Sequence, residues 1–177
     1  VGDKSKNSAY FDRLFPKINS FTPLNNGMEP KRIDKMIIGR REVANLPEFG
    51  LENVAVKVDS GAYTSSIHVS HCKEIQTEKG TVLEVVFLDN AHASFIDEKH
   101  YFEKFRVKKV KSSTGQEQMR YFIKCKIELL GRKIVTEFSL TERKGMRFPI
   151  LLGRKLLNKR FIIDTSLVNV SQTIEKI

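Results

Sequence analysis

From Lys35 onward the chain is patterned for strands. Tyr121, Ile123, Cys125, Ile127 and Leu129 alternate with Lys124, Lys126 and Glu128. That period of two belongs to a strand with one buried face. Gly131-Arg132 then turns the chain into Ile134 to Leu140, which predicts a hairpin. Val82 to Leu88 is an apolar strand ended by Asp89-Asn90, and Val54 to Asp59 is rich in β-branched residues. Tyr101 to Lys111 alternates, with Phe105, Val107 and Lys109 on one face. Met36 to Arg40, Phe148 to Leu152, Phe161 to Asp164 and Leu167 to Val170 are short apolar runs, and Leu46 to Gly50 is a turn. Arg154 to Asn158 is the one interior helix candidate. Many short strands separated by turn residues predict an all-β sandwich or barrel.

Residues 1–34 are different. Asn19-Ser20, Pro23, Asn25-Asn26-Gly27 and Pro30 read as an extended tail or linker, with a helical turn over Tyr10 to Phe15. The expected organisation is a tail over 1–34, one domain over 35–172 and a short tail over 173–177. The chain begins with Val1 rather than Met, which reads as a processed or cut N-terminus and leaves cytoplasm and periplasm both open.

Composition narrows the function classes. A chain of 177 residues, 40% hydrophobic and 29% charged, can bury a core without disulfide or metal staples. No apolar run approaches a membrane span. The net charge of +10 favours acidic partners: nucleic acid, an anionic surface or a Glu/Asp-rich peptide. Cys72 and Cys125 read as two free thiols. There is no Walker motif, no HExxH and no CxxC. His68-x-x-His71-Cys72 reads as a strand and turn carrying ring nitrogens, so no metal or cofactor is expected.

The chemistry rests on two motifs. Asp59-Ser60-Gly61-Ala62 follows the apolar strand end Val56-Lys57-Val58 and suits a carboxylate displayed where a strand meets a loop. Gly61 lets backbone approach that carboxylate. Alone, the pattern reads as an ordinary turn. Near the C-terminus stands Pro149-Ile150-Leu151-Leu152-Gly153-Arg154-Lys155-Leu156-Leu157. An Asp-Ser/Thr-Gly-Ala loop, then two apolar residues with Gly and a short helix, resembles aspartic peptidases of the retropepsin type.

The resemblance extends from Met36 to about Asn169. Ile37-Ile38-Gly39-Arg40-Arg41-Glu42, Leu46 to Gly50, Lys57 to His68, Arg120 to Ile123, Ser139 to Arg154 and Ile163-Asp164 are similar to one bacterial retropepsin-like family. That family is often labelled an ATP-dependent zinc protease and occurs near ATP-grasp amino-acid ligases. The sequence carries a signature for neither zinc nor ATP. The chain departs from the family's pattern in having Ser60 for Thr and Tyr63 for a basic residue.

The resemblance implies a closed, all-β retropepsin-like barrel with one short C-terminal helix. It implies an aspartic endopeptidase with Asp59 catalytic and Ser60, Gly61, Ala62 and Thr64 supporting the loop. Leu151, Leu152, Gly153 and Arg154 form the second element, with Arg154 expected to pair with an acidic residue. Such enzymes need two carboxylates sharing a proton around one water. One Asp-Ser-Gly per chain implies a homodimer with Asp59 from each copy at the two-fold axis. Asp164-Thr165-Ser166 lacks the Gly and reads as a strand end. No Gly-rich flap is visible; Ser112 to Gln116 and Leu88 to His100 are the candidates.

The expected substrate is an acidic, Glu-rich peptide drawn to the Lys/Arg-rich stretches around Lys99 to Lys111 and Arg143 to Arg160. The alternatives are a non-catalytic module holding an acidic peptide and, less favoured, a nucleic-acid binder using Tyr101, Phe102 and Phe105. A Ser65/His68 hydrolase lacks the G-x-S-x-G elbow.

Overall fold

The computed structural model describes residues 35–111 and 117–174. The expected tail over 1–34, the flap candidate 112–116 and residues 175–177 lie outside the described residues.

The strands are β1 (Met36–Gly39), β2 (Arg41–Leu46), β3 (Leu51–Val58), β4 (Ser65–Thr77), β5 (Gly80–Phe87), β6 (His100–Phe102), β7 (Arg106–Lys111), β8 (Glu117–Leu129), β9 (Arg132–Thr141), β10 (Ile150–Leu152) and β11 (Phe161–Asp164). A 3-10 turn, Pro47–Phe49, and two short helices, α1 (Arg154–Leu157) and α2 (Val170–Ile174), complete the fold. The class is all-β.

The β8–β9 hairpin forms where the alternation predicts it, with Leu129 opposite Arg132. Ile123, Cys125, Ile127 and Leu129 are buried while Lys124 is exposed. Val54, Val56 and Val58 of β3 point into the same core. The main sheet runs β10-β3-β2-β8-β9-β4-β5-β6. β10 pairs with β3 in parallel and with β4 antiparallel, so the path through the sheet returns to its starting strand. β1 and β11 form a separate two-stranded parallel sheet. Phe49 stacks on Phe87 with ring centroids 4.3 Å apart and closes the core beneath the 3-10 turn.

Three elements differ from expectation. Tyr101 to Lys111 is two strands, β6 and β7, and Val107 is 40% exposed rather than inward. β7 pairs with Glu117 to Phe122, and of these only Phe122 also pairs with β9, so Val107, opposite Tyr121, projects from a hairpin beyond the β8–β9 pairing. Leu167 to Val170 is not a strand: Asn169 has φ 52° and the chain enters α2 at Val170, a second short helix beyond the one expected. Buried Glu42 anchors it, accepting hydrogen bonds from the backbone N–H and hydroxyl of Ser171, both at 2.9 Å.

Candidate functional site

β3 delivers Asp59 to the point where β10 crosses it. Leu151 and Leu152 pair with Lys57 and Val58, and the Asp59 N–H donates to the Leu152 carbonyl at 3.0 Å. The chain then folds back on itself. Asp59 Oδ1 accepts the N–H of Gly61 at 3.0 Å and of Ala62 at 3.2 Å. Two amides aimed at one oxygen fix the orientation of the carboxylate. Oδ2 has no partner among the described residues. The side chain is half-buried.

The second element locks this loop. Gly153 is a close-approach glycine: a Cβ there would lie 2.6 Å from the backbone carbonyl carbon of Thr64. Its N–H donates to the buried Ser65 hydroxyl at 3.0 Å. The carbonyls of Ala62 and Tyr63 accept the first N–H groups of α1, from Arg154 and Lys155, each at 2.9 Å. These groups lack partners inside the helix, so the loop itself caps it. Arg154 Nη1 donates to the Ser60 and Gly61 carbonyls at 2.9 and 2.8 Å. Its partners are therefore backbone oxygens rather than the acidic residue expected. Its guanidinium sits 6.0 Å from the ring of exposed Tyr63. The Ser60 hydroxyl is exposed and has no partner among the described residues.

The structure thus brings together Asp59, Ser60, Gly61, Ala62, Thr64, Leu151, Leu152, Gly153 and Arg154. Asp164 ends β11, and its carboxylate accepts the N–H and hydroxyl of Ser166 at 2.9 and 2.6 Å, which draw its pKa below the usual carboxylate range.

His68 is buried, only 2% exposed. Its Nδ1 accepts the Arg143 backbone N–H at 2.8 Å, so the proton of the neutral ring lies on Nε2, which donates to Asp89 Oδ2 at 3.0 Å. Asp89 Oδ1 meets His92 Nδ1 at 2.7 Å and the Ala91 N–H at 3.1 Å. The His68 bond foremost, then those of His92 and Ala91, holds the Asp89 pKa low. Both ring nitrogens of His68 are engaged, and the Ser65 hydroxyl serves Gly153, so these two residues do not form a nucleophile–base pair.

His68, Asp89 and His92 have the ligand types of a zinc site and lie close enough together. They do not fit one. A metal at Nε2 would move the His68 proton to Nδ1, directly against the Arg143 N–H. His71 takes no part; it bonds Glu84 of the neighbouring strand β5 at 2.9 Å. Neither thiol offers a thiolate at neutral pH. Burial pushes Cys125 up to about 12, and burial with neighbouring Glu74 pushes Cys72 up to about 11.

The flap candidate Leu88 to His100 is pinned rather than free. Asp89 holds one end to His68, and the Ser94 hydroxyl donates to the Glu52 carbonyl at 2.7 Å. Glu52 and Asp59 lie toward opposite ends of β3, roughly 20 Å apart at strand spacing.

Residues 37–173 match the family model for RimB-like proteins, described as retropepsin-like aspartic endopeptidase RimB. The chain belongs to this family. Curated relatives of this RimB-like chain include proteins from Shewanella pealeana (31% identical over 136 residues) and Desulfotalea psychrophila (33% over 141), each named "Probable alpha-L-glutamate ligase". The matches cover 75% and 76% of the chain but 29% of each relative, so the chain spans less than a third of their length. A crystal structure of a Legionella pneumophila protein with unknown function shares the fold, with TM-score 0.57 and 23% identity over 77% of this chain and 98% of that one.

Proposed function

We propose that the protein is an aspartic endopeptidase that works as a homodimer, one Asp59 from each copy holding the attacking water between them. The supporting observation is the Asp59 carboxylate. Two backbone amides fix one oxygen, while the other is open at the crossing of β3 and β10. We read the returning ring of strand pairs as a closed barrel, which makes this crossing rigid.

Two such carboxylates in contact cannot both ionise comfortably, so the pair holds one proton between them. The ionised member takes a proton from water as it attacks the scissile carbonyl. The protonated member donates to the carbonyl oxygen. Ser60, exposed and without a partner among the described residues, is placed to bond across the axis. Gly153 and Arg154 keep the loop from relaxing.

The substrate is an acidic, Glu-rich peptide. The chain carries +10, and its curated relatives are named as glutamate ligases. Those names also support a second reading, a non-catalytic module that holds a glutamate-bearing partner. A nucleic-acid platform has less support. Phe102 and Phe105 pack against the core, Tyr101 bonds Glu84, and Lys99, Arg106 and Lys109 have acidic partners.

A Glu-rich peptide whose scissile amide is replaced by a tetrahedral hydroxyl-bearing mimic separates the two protein-binding readings. An aspartic peptidase binds it more than tenfold tighter than the plain peptide, and Asp59→Asn removes the difference. Equal affinity for both peptides, insensitive to Asp59→Asn, selects the binding module.

A further inference from the structure

The β7–β8 hairpin carries a charged face that the mechanism leaves unused. Lys108 stands directly opposite Arg120, and Arg106 directly opposite Phe122. Phe122 also pairs with Ser139 of β9, and Lys124 with Glu137. Residues opposite one another, or two apart along a strand, share a face. Arg106, Lys108, Arg120, Lys124 and Glu137 therefore lie on one. Glu137 is buried, 5% exposed, and both its oxygens are taken: Oε1 by Arg106 and Oε2 by Lys155 of α1, the latter at 3.0 Å. Lys108 and Arg120 have no carboxylate within ion-pair distance among the described residues. Arg120 Nε donates to the Gln118 amide oxygen at 3.3 Å, and Lys108 Nζ sits 5.8 Å over the ring of Phe122.

Like charges directly opposite on a sheet repel. The register holds Lys108 and Arg120 in that arrangement, and the nearby carboxylate is already shared between two cations. An anion laid across the face relieves the repulsion, and charge-assisted bonds to carboxylates suit both heads. Printed contacts join this face to the site. Glu137 ties β7 to α1 through Arg106 and Lys155, and the Lys155 backbone N–H donates to the Tyr63 carbonyl of the Asp59 loop at 2.9 Å. A nucleic-acid strand finds no stacking ring on this face, because Phe122 is 6% exposed and lies under Lys108.

We propose that this hairpin face is a docking surface for the acidic segment of a peptide substrate. Lys108 and Arg120 pair with its carboxylates, and Glu137 fixes the hairpin to the helix of the site. The inference deepens the reading of a Glu-rich substrate and rests on it for the word substrate; docking itself does not need cleavage.

The test uses a fluorescent peptide of repeating Glu-Gly and its Gln-Gly counterpart. Binding is measured on the full chain in the Asp59→Asn background, and kcat/KM separately with Asp59 intact. The Glu peptide binds roughly tenfold tighter, by a margin that shrinks as salt rises. Lys108→Glu turns the repulsion into an opposite-charge pair with Arg120, so the melting temperature holds or rises. Its affinity for the Glu peptide nevertheless falls about fivefold or more, and Arg120→Gln lowers it about two- to fivefold. Lys79→Glu, the same charge change on the β4–β5 turn, leaves the affinity near that of the parent. A merely structural Lys108 would move the melting temperature and leave the affinity alone. Parental affinity in both hairpin variants, a loss no greater than that from Lys79→Glu, or no Glu preference at all overturns the proposal; the cations would then only blunt the free edge of β7. An RNA oligonucleotide of equal charge that binds tighter than the Glu peptide and loses affinity in Lys108→Glu assigns the face to nucleic acid and overturns it as well. Should neither peptide be cleaved while binding keeps its dependence on Lys108, the peptidase reading falls and the docking surface stands. Cleavage of the Glu peptide with kcat/KM untouched by either hairpin variant keeps the peptidase and removes the surface.

Discussion

At the scale of single residues, the site depends on a few positions where one atom matters. Gly153 is the clearest. A methyl group there meets the Thr64 backbone, which cannot swing aside as a side chain would. Gly153→Ala is expected to cost about 1–3 kcal/mol, read from urea or thermal melts; an unchanged midpoint would contradict the close packing of β10 on the loop. Ser65→Ala leaves the Gly153 N–H buried without an acceptor and is expected to cost about 1–3 kcal/mol.

Asp89 gives a pH prediction. Its pKa is depressed in the fold, so its contribution is present above the unfolded value of about 4 and is lost as pH falls through the folded value. Asp89→Asn should flatten the fall in melting temperature on the acid side of pH 4. A parallel, unflattened profile would mean that the bonds to His68 and His92 contribute nothing to acid stability.

At the scale of elements, the alternation in β8 and the Gly131 turn were enough to read the central hairpin, because strand period and turn chemistry are local. The Asp59 loop and the Leu151-Leu152-Gly153-Arg154 segment were legible for the same reason: each is contiguous. The Asp89–His68–Arg143 chain was not. Its members are 21 and 75 residues apart, and they meet only because β4 pairs with β9 in the register that sets His68 opposite Thr141. A unit charge in a pattern of basic residues also gives no sign of its neighbours, so Arg143 read as one cation among many. Val107 misled because its alternation was real while its hairpin lies outside the packed sheet. Arg154 was expected to meet an acid, but the short span from the start of α1 to the loop puts two carbonyls within reach of its Nη1. Arg154→Lys keeps the charge and loses the Nη1 group that bonds both loop carbonyls. It should reduce turnover at least tenfold with little change in fold, read by kcat alongside circular dichroism; full activity would mean that turnover does not need the two bonds to the loop carbonyls.

At the scale of the whole molecule, the proposed mechanism requires two chains for one active site. The Oδ2 atom of Asp59 and the hydroxyl of Ser60 have no partner among the described residues, and a facing copy would supply both. Mixing wild type with a growing excess of Asp59→Asn should drive the activity per wild-type chain down toward zero, because inactive mixed dimers capture the wild-type subunits. Activity that stays proportional to the wild-type chain would mean that a single chain suffices. The most direct measurement is cleavage of a mixed peptide library containing Glu-rich sequences, from acid to neutral pH, by wild type and Asp59→Asn side by side with fragments read by mass. A dimeric aspartic peptidase gives fragments from wild type alone, concentrated in the acidic sequences. The same fragments from both proteins, or none from either, would contradict an aspartic mechanism at Asp59.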